Sequence, residues 1–319
     1  MSDAEQPDIG EQPGVPPLAR TTLDRSAHHR RDAAWLADAW KRGQVLVVDA
    51  AAGGSAPVHE RDGVVRLVLL DSADAPDGER LFLGLDADGT PLFSVDAPLP
   101  PVEGARGATL REVGHLLDDR DAGVFSTAAA LANWHASHHY SPRSGHPTTV
   151  TEGGWVREDP DGRQMWPRTD PAMIVLIHDG VPGADGRCLL GHNANWPSTE
   201  GSRRFSTLAG FVEPGESAEA AVAREVFEEV GIRVGALRYE GSQAWPYPGS
   251  LMLGFTALAD RSQPLTLDAD EIDEARWFTR TEIRQMLAGE YRDPETGVAV
   301  FLPMRASIAL FLITRWFSS

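Results

Sequence analysis

Glu225, Glu228 and Glu229 stand at i, i+3 and i+4 in the segment A-R-E-V-F-E-E-V. On a helix that spacing brings their carboxylates to one face. Three like charges so placed repel unless a cation sits among them. Hard oxygen ligands of this kind suit Mg²⁺ or Mn²⁺, which bridge protein carboxylates to the phosphate oxygens of a substrate. Val222, Val226 and Val230 recur every four residues and supply the stripe that such a helix must bury. Ser217 suits the N-cap and Gly231 the C-terminal stop. Ahead of the helix, Gly210 to Gly215 forms a loop with Pro214 and two glycines, where backbone can approach a ligand closely. A glutamate-rich helix face by itself is ordinarily just solvated. Here the loop, the helix and the closing glycine come as a set.

Gly210 to Ile232 fills every position of G-x5-E-x7-R-E-U-x-E-E-x-G-U, where U is aliphatic. This resembles the box of Nudix hydrolases, enzymes that cleave nucleoside diphosphates linked to another group. The resemblance implies that Glu225 and Glu229 bind the cations and that Glu228 is a ligand or the water-activating base. It also implies a distal acid, best matched by Glu271 in D-A-D-E-I-D-E-A-R-W-F, that serves both metal and substrate. Glu216 and Arg224 pair with each other or with the helix, an architectural role.

Ser242 to Ser250 reads S-Q-A-W-P-Y-P-G-S. It resembles the S-Q-P-W-P-F-P-x-S signature of the NADH pyrophosphatase branch, with Ala244 replacing proline and Tyr247 replacing phenylalanine. Pro246 and Pro248 cannot donate to a sheet ladder, so this stretch is expected outside the sheet as a rigid wall. Trp245 and Tyr247 offer flat faces on which a base could stack, worth about 1–3 kcal/mol per base. Gln243 and Ser250 could hydrogen-bond phosphate or ribose, and Gly249 belongs to the same substrate-selecting loop. Trp166-P-R-T-D-P-Ala172 resembles the family's entry into the catalytic domain, which puts Trp166 at the pocket. The resemblance further implies Phe211 stacking on nicotinamide, the Ala209 carbonyl as a metal ligand, and Ala309 in S-I-A as a substrate contact.

The remaining chain has to position these groups. Its 319 residues suffice for two domains and a connector. The reading is α+β: a tail over 1–20, a small α+β N-terminal domain over 21–130, a connector over 131–168 and a catalytic domain over 169–319. For the last, strand candidates around the box helix and a final helix Ser307–Trp316 suit an α/β/α sandwich with a mixed sheet. Helices are expected at Asp32–Arg42, Leu110–Leu117 and Ala128–His138. In that branch the connector is a four-cysteine zinc ribbon. Here the cysteine positions fall on Ser141, Ser144, Glu158 and Asp161, so the expectation is a degenerate ribbon without structural zinc. A rescue by His135, His138, His139 and His146 is the weaker alternative.

A net charge of −18 argues against a general nucleic-acid scaffold. One cysteine, Cys188, and no signal-like or membrane-length apolar run suit a cytoplasmic protein. The resemblance implies a homodimer that hydrolyses NADH or NAD⁺ to nicotinamide mononucleotide and AMP, and that removes NAD caps from RNA 5′ ends. Two alternatives stay open: ADP-ribose or dinucleoside polyphosphates as substrate, or a nucleotide sensor without catalysis.

Overall fold

The computed structural model describes residues 14–196 and 201–319. The N-terminal half builds on helix α1 (Ala33–Lys41) and strands β1 (Gln44–Val48), β2 (Ser55–Arg61), β3 (Val64–Leu67), β4 (Leu70–Asp71), β5 (Leu81–Leu85), β6 (Pro91–Asp96) and β7 (Ala105–Thr109). They form two sheets, ordered β4-β1-β6-β5 and β3-β2-β7. Alternation along β1 explains the layering. Val45 packs with Phe82, Phe93 and the α1 tryptophans Trp35 and Trp40, while Leu46 and Val48 join the core on the other face. That second core is closed by the short helix α2 (Leu110–Val113) and by α3 (Asp119–Ser137). Asp118 caps α3 by accepting the Asp121 N–H.

Several expectations are corrected here. The helix expected over Leu110–Leu117 spans only Leu110–Val113, with Gly114, a poor helix former, as its C-cap. Helix α3 starts nine residues before the expected Ala128, and the expected boundary at residue 131 falls inside it. The expected tail lies outside the described residues for 1–13, but 14–20 are built into the fold. Leu18 is 3% exposed in the N-terminal core and its N–H donates to Gln243 Oε1. The flanking Pro16 and Pro17 leave no periodicity to mark that anchor.

The connector is a small sheet ordered β10-β9-β8, from β8 (Thr149–Thr151), β9 (Val156–Glu158) and β10 (Gln164–Met165). Arg157, 7% exposed, donates to His135 Nδ1 and to Thr148, while His135 Nε2 meets the Gly154 carbonyl. Burial beside Arg157 holds the His135 pKa down at about 4, so the ring stays neutral.

The C-terminal half holds β11 (Asp170–His178), β12 (Arg187–Asn193), β13 (Ser202–Arg204), β14 (Leu208–Phe211), helix α4 (Ala218–Val230), β15 (Gly235–Trp245), β16 (Ser250–Leu258), β17 (Ile272–Thr279), α5 (Arg280–Leu287), β18 (Ala299–Phe301) and α6 (Ile308–Phe317). The main sheet runs β15-β16-β11-β12-β17, with β14 added to β11. It is mixed, since β11 and β16 are parallel and the other pairings antiparallel. Met173, Val175 and Ile177 of β11 pack under Val222, Val226 and Val230 of α4. Ile174 and Leu176 pack on the opposite face with α5 and α6. Helix α5 was not anticipated; Thr279 and Glu282 give it a reciprocal cap that the sequence reading passed over. The fold class is therefore mixed α+β. Among the described residues, no helix is long and apolar enough to cross a membrane.

Candidate active site

Strand β14 feeds directly into the loop before α4, and pairing of Gly210 with Met173 fixes that loop at the N-terminal end of β11. Ser217 caps α4 by accepting the Ala220 N–H, and Gly231 ends it in the left-handed region at φ 74°. The helix thus presents its acids toward β14. A Cβ on Gly210 would lie 2.0 Å from Glu225 Cδ, so only glycine leaves room for that carboxylate.

Glu225, Glu229 and Glu271 each offer a carboxylate oxygen within 4.8 Å of the others. Glu229 is 3% exposed and its Oε2 has no hydrogen-bond partner among the described residues. Burial, with Glu225 and Glu271 beside it, pushes its pKa up to about 8. Burial also raises Glu225, although Arg224 works against the shift. An orphaned, buried oxygen between two further carboxylates fits a hard divalent cation.

Main-chain bonds set the spacing of this trio. The Asp268 N–H donates to the Glu229 carbonyl, the Glu271 N–H to the Asp268 carbonyl, and the Ala194 N–H to the Glu271 carbonyl. The Asn193–Asn195 turn adds the Asn195 amide on the Asp270 carbonyl at 3.2 Å. The sequence reading missed these residues, and only their adjacency to an acidic stretch could have pointed to them.

Arg224 grips both oxygens of Glu216 at 2.9 Å, as expected for an architectural pair. It also reaches Glu225 at 3.0 Å, Glu228 at 2.9 Å and the Phe211 carbonyl at 3.0 Å. Glu228 is exposed and stands beside the trio rather than within it. Ala209 is exposed on β14, and Trp166 and Phe211 expose 63% and 58% of their surface.

The Ser242–Ser250 stretch is not a wall outside the sheet. Ser242 to Trp245 pair with β16, and the prolines occupy the hairpin tip. Strand alternation then divides the nine residues. Ser242, Ala244, Pro246, Pro248, Gly249 and Ser250 line a cavity of about 480 Å³. Gln243, Trp245 and Tyr247 do not. Gln243 is 1% exposed and bridges the Leu18 N–H and the Ala306 carbonyl, which holds its amide in the interior away from the cavity. Trp245 and Tyr247 pack against the N-terminal core, with the Arg111 guanidinium 4.0 Å from the Tyr247 ring. Ala309, near the start of α6, is 2% exposed and packs into the core with Ile174 and Leu176.

The cavity does not contain the acids. The two are linked through β11: Thr169 and Asp170 line the cavity, while Ala172 and Met173 pair with Phe211 and Gly210. An extended ligand at the acids could therefore continue into the cavity.

The NUDIX domain family model matches residues 168–296, and one described as an NADH pyrophosphatase-like rudimentary NUDIX domain matches residues 38–134. The NAD-capped RNA hydrolase NudC of Mycobacterium tuberculosis (strain ATCC 25618 / H37Rv) is 40% identical over 308 residues, covering 95% of each chain. The human NAD-capped RNA hydrolase NUDT12 is 38% identical over 211 residues, which is 63% of this chain and 42% of that one. A solved NUDIX hydrolase from Nitrosomonas europaea aligns with a TM-score of 0.38 and 19% identity, over 56% of this chain and 90% of its own. The chain belongs to the Nudix hydrolases, in the NudC and NADH pyrophosphatase-like family.

Proposed function

We propose that this protein hydrolyses the central diphosphate of NADH or NAD⁺ to nicotinamide mononucleotide and AMP, and removes NAD caps from RNA 5′ ends. The observation that carries the reading is the Glu225–Glu229–Glu271 cluster with its orphaned Glu229 oxygen. The curated relatives of the same length and family support the substrate class. Bound there, Mg²⁺ or Mn²⁺ would offset charge on the phosphate oxygens and the leaving group. Glu225, Glu229 and Glu271 would hold it, with the Ala209 carbonyl as a further ligand.

Water adds to one phosphorus as the bridging P–O bond breaks, and a carboxylate takes the water's proton. We assign that base to Glu228 or a neighbouring box carboxylate, with Arg224 orienting Glu228 through its 2.9 Å bond. Phe211 and Trp166, both exposed, are the surfaces for the nicotinamide. The hairpin residues that line the cavity, with Pro248 and Ser250 among them, receive the far end of the dinucleotide.

The catalytic unit on this reading is 169–319, with 21–130 a family N-terminal domain and the connector a ribbon that needs no zinc. In place of thiols, Ser144 Oγ donates to Asp159 at 2.7 Å, and Asp159 also accepts the Asp161 and Arg163 N–H groups. We further infer a cytoplasmic homodimer whose partner covers the exposed aromatic surface near the site. Side-by-side turnover of NADH, NAD⁺ and ADP-ribose with Mn²⁺ tests the substrate; a clear preference for ADP-ribose would overturn it. Glu225→Gln should remove nearly all turnover while leaving the fold intact.

A further inference from the structure

We propose that the Arg30–Arg31 surface beside Trp155 is the path taken by the single-stranded RNA that follows an NAD cap. This rests on the function proposed above and extends it beyond the dinucleotide. Residues 14–42 hold six arginines and lysines against three aspartates, within a chain of net charge −18. This stretch is locally cationic where the rest repels phosphate.

Two cations of this stretch, and Arg80 from outside it, are set over aromatic rings. The Arg30 guanidinium sits 3.7 Å from the Trp155 ring centroid, Arg25 lies 5.4 Å from the same ring, and Arg80 lies 4.2 Å from Trp40. Among the described residues, none of these three makes an ion pair with a carboxylate, so their charge is not spent internally. The Arg31 side chain donates to Glu152 at 2.8 Å and stays 75% exposed, so it still presents charge to solvent. The Trp155 indole is itself fixed by donating to the Phe82 carbonyl at 2.7 Å.

Position decides what this surface serves. Arg25 and Trp155 form one wall of the 480 Å³ cavity, and Ala244, Pro248 and Ser250 of the hairpin form another. Arg30, stacked on Trp155, and Arg31, paired with Glu152, adjoin that wall without lining the cavity. A strand leaving the acid cluster past Thr169 and Asp170 would cross the cavity and emerge over them. Guanidinium groups beside flat indoles are what an unpaired strand needs, because phosphate attraction and base stacking both ignore sequence.

The test compares NADH with an NAD-capped oligoribonucleotide whose 5′ end is unpaired, for the wild type and an Arg30→Ala/Arg31→Ala double variant. NADH turnover should be unchanged, while kcat/KM for the capped RNA falls about tenfold at low salt and its salt dependence becomes shallower. An Arg30→Lys/Arg31→Lys variant, which keeps the charge, should recover most of the capped-RNA activity. Unaltered capped-RNA turnover in the alanine variant would overturn the inference. Equal loss on both substrates would also overturn it, by marking the pair as structural. Failure of the wild type to cleave NADH and capped RNA alike would instead sink the underlying function.

Discussion

Gly210 and Glu225 occupy each other's space: the position a Cβ would take on the glycine lies 2.0 Å from the glutamate's carboxyl carbon. A strand residue and a helix residue fifteen positions apart are thereby locked together beside the acidic trio. The motif's glycine is a vacancy shaped for a carboxylate.

Gly210→Ala should therefore displace Glu225 from the trio. A displacement of about 1 Å costs on the order of 100-fold in rate. Steady-state kinetics should show kcat for NADH falling by about that factor and a higher Mn²⁺ concentration for half-activation, with circular dichroism unchanged. Full activity in this variant would show that Glu225 is dispensable.

Stability should depend on pH through Glu229. Its pKa rises from 4.5 to about 8 on folding, because burial and two neighbouring acids disfavour the charge. The metal-free folded state thus binds a proton that the unfolded chain has released, so stability falls as pH rises between about 4.5 and about 8. Calorimetry across that window should show a declining Tm. Mg²⁺ or Mn²⁺ should raise Tm most at the upper end, and Glu229→Gln should flatten the curve.

Gln243→Ala should lower stability and leave substrate choice alone. It would strand the Leu18 N–H and the Ala306 carbonyl, two buried groups at about 1–3 kcal/mol each. Urea titration gives the loss. A shift in the NADH to ADP-ribose ratio without destabilisation would contradict this assignment.

Chelation should separate catalysis from architecture. Exhaustive treatment with EDTA should abolish turnover, Mg²⁺ or Mn²⁺ should restore it, and the connector should stay folded throughout. Asp159→Ala, by contrast, should lower Tm by several degrees without changing the metal requirement, since Ser144 and two backbone N–H groups lose their acceptor. Zinc found at one equivalent per chain in protein purified without added metal would refute the metal-free connector.

The box was legible because its physics is local: cap, apolar stripe and acid face all lie within one helix and its preceding loop. Glu271 was reached only through the family pattern, since its approach to Glu229 depends on a loop forty residues further along the chain. The hairpin was misjudged for a related reason. Its prolines suggested a segment excluded from the sheet, yet they sit at the tip, and pairing of Gln243 with Met252 turns alternate side chains away from the cavity. Leu18 was invisible because one apolar residue among prolines carries no periodicity, and its burial depends on α3 and the hairpin together.

The chain of amide links from Glu229 through Asp268 and Glu271 to Ala194 uses no side chain at all. Any residue with an N–H can make this bond at Ala194, whereas Asp268 also accepts the Asp270 N–H through its side chain. Side-chain drift at Ala194 can thus reshape the surface beside the acids while the main-chain link that spaces them persists.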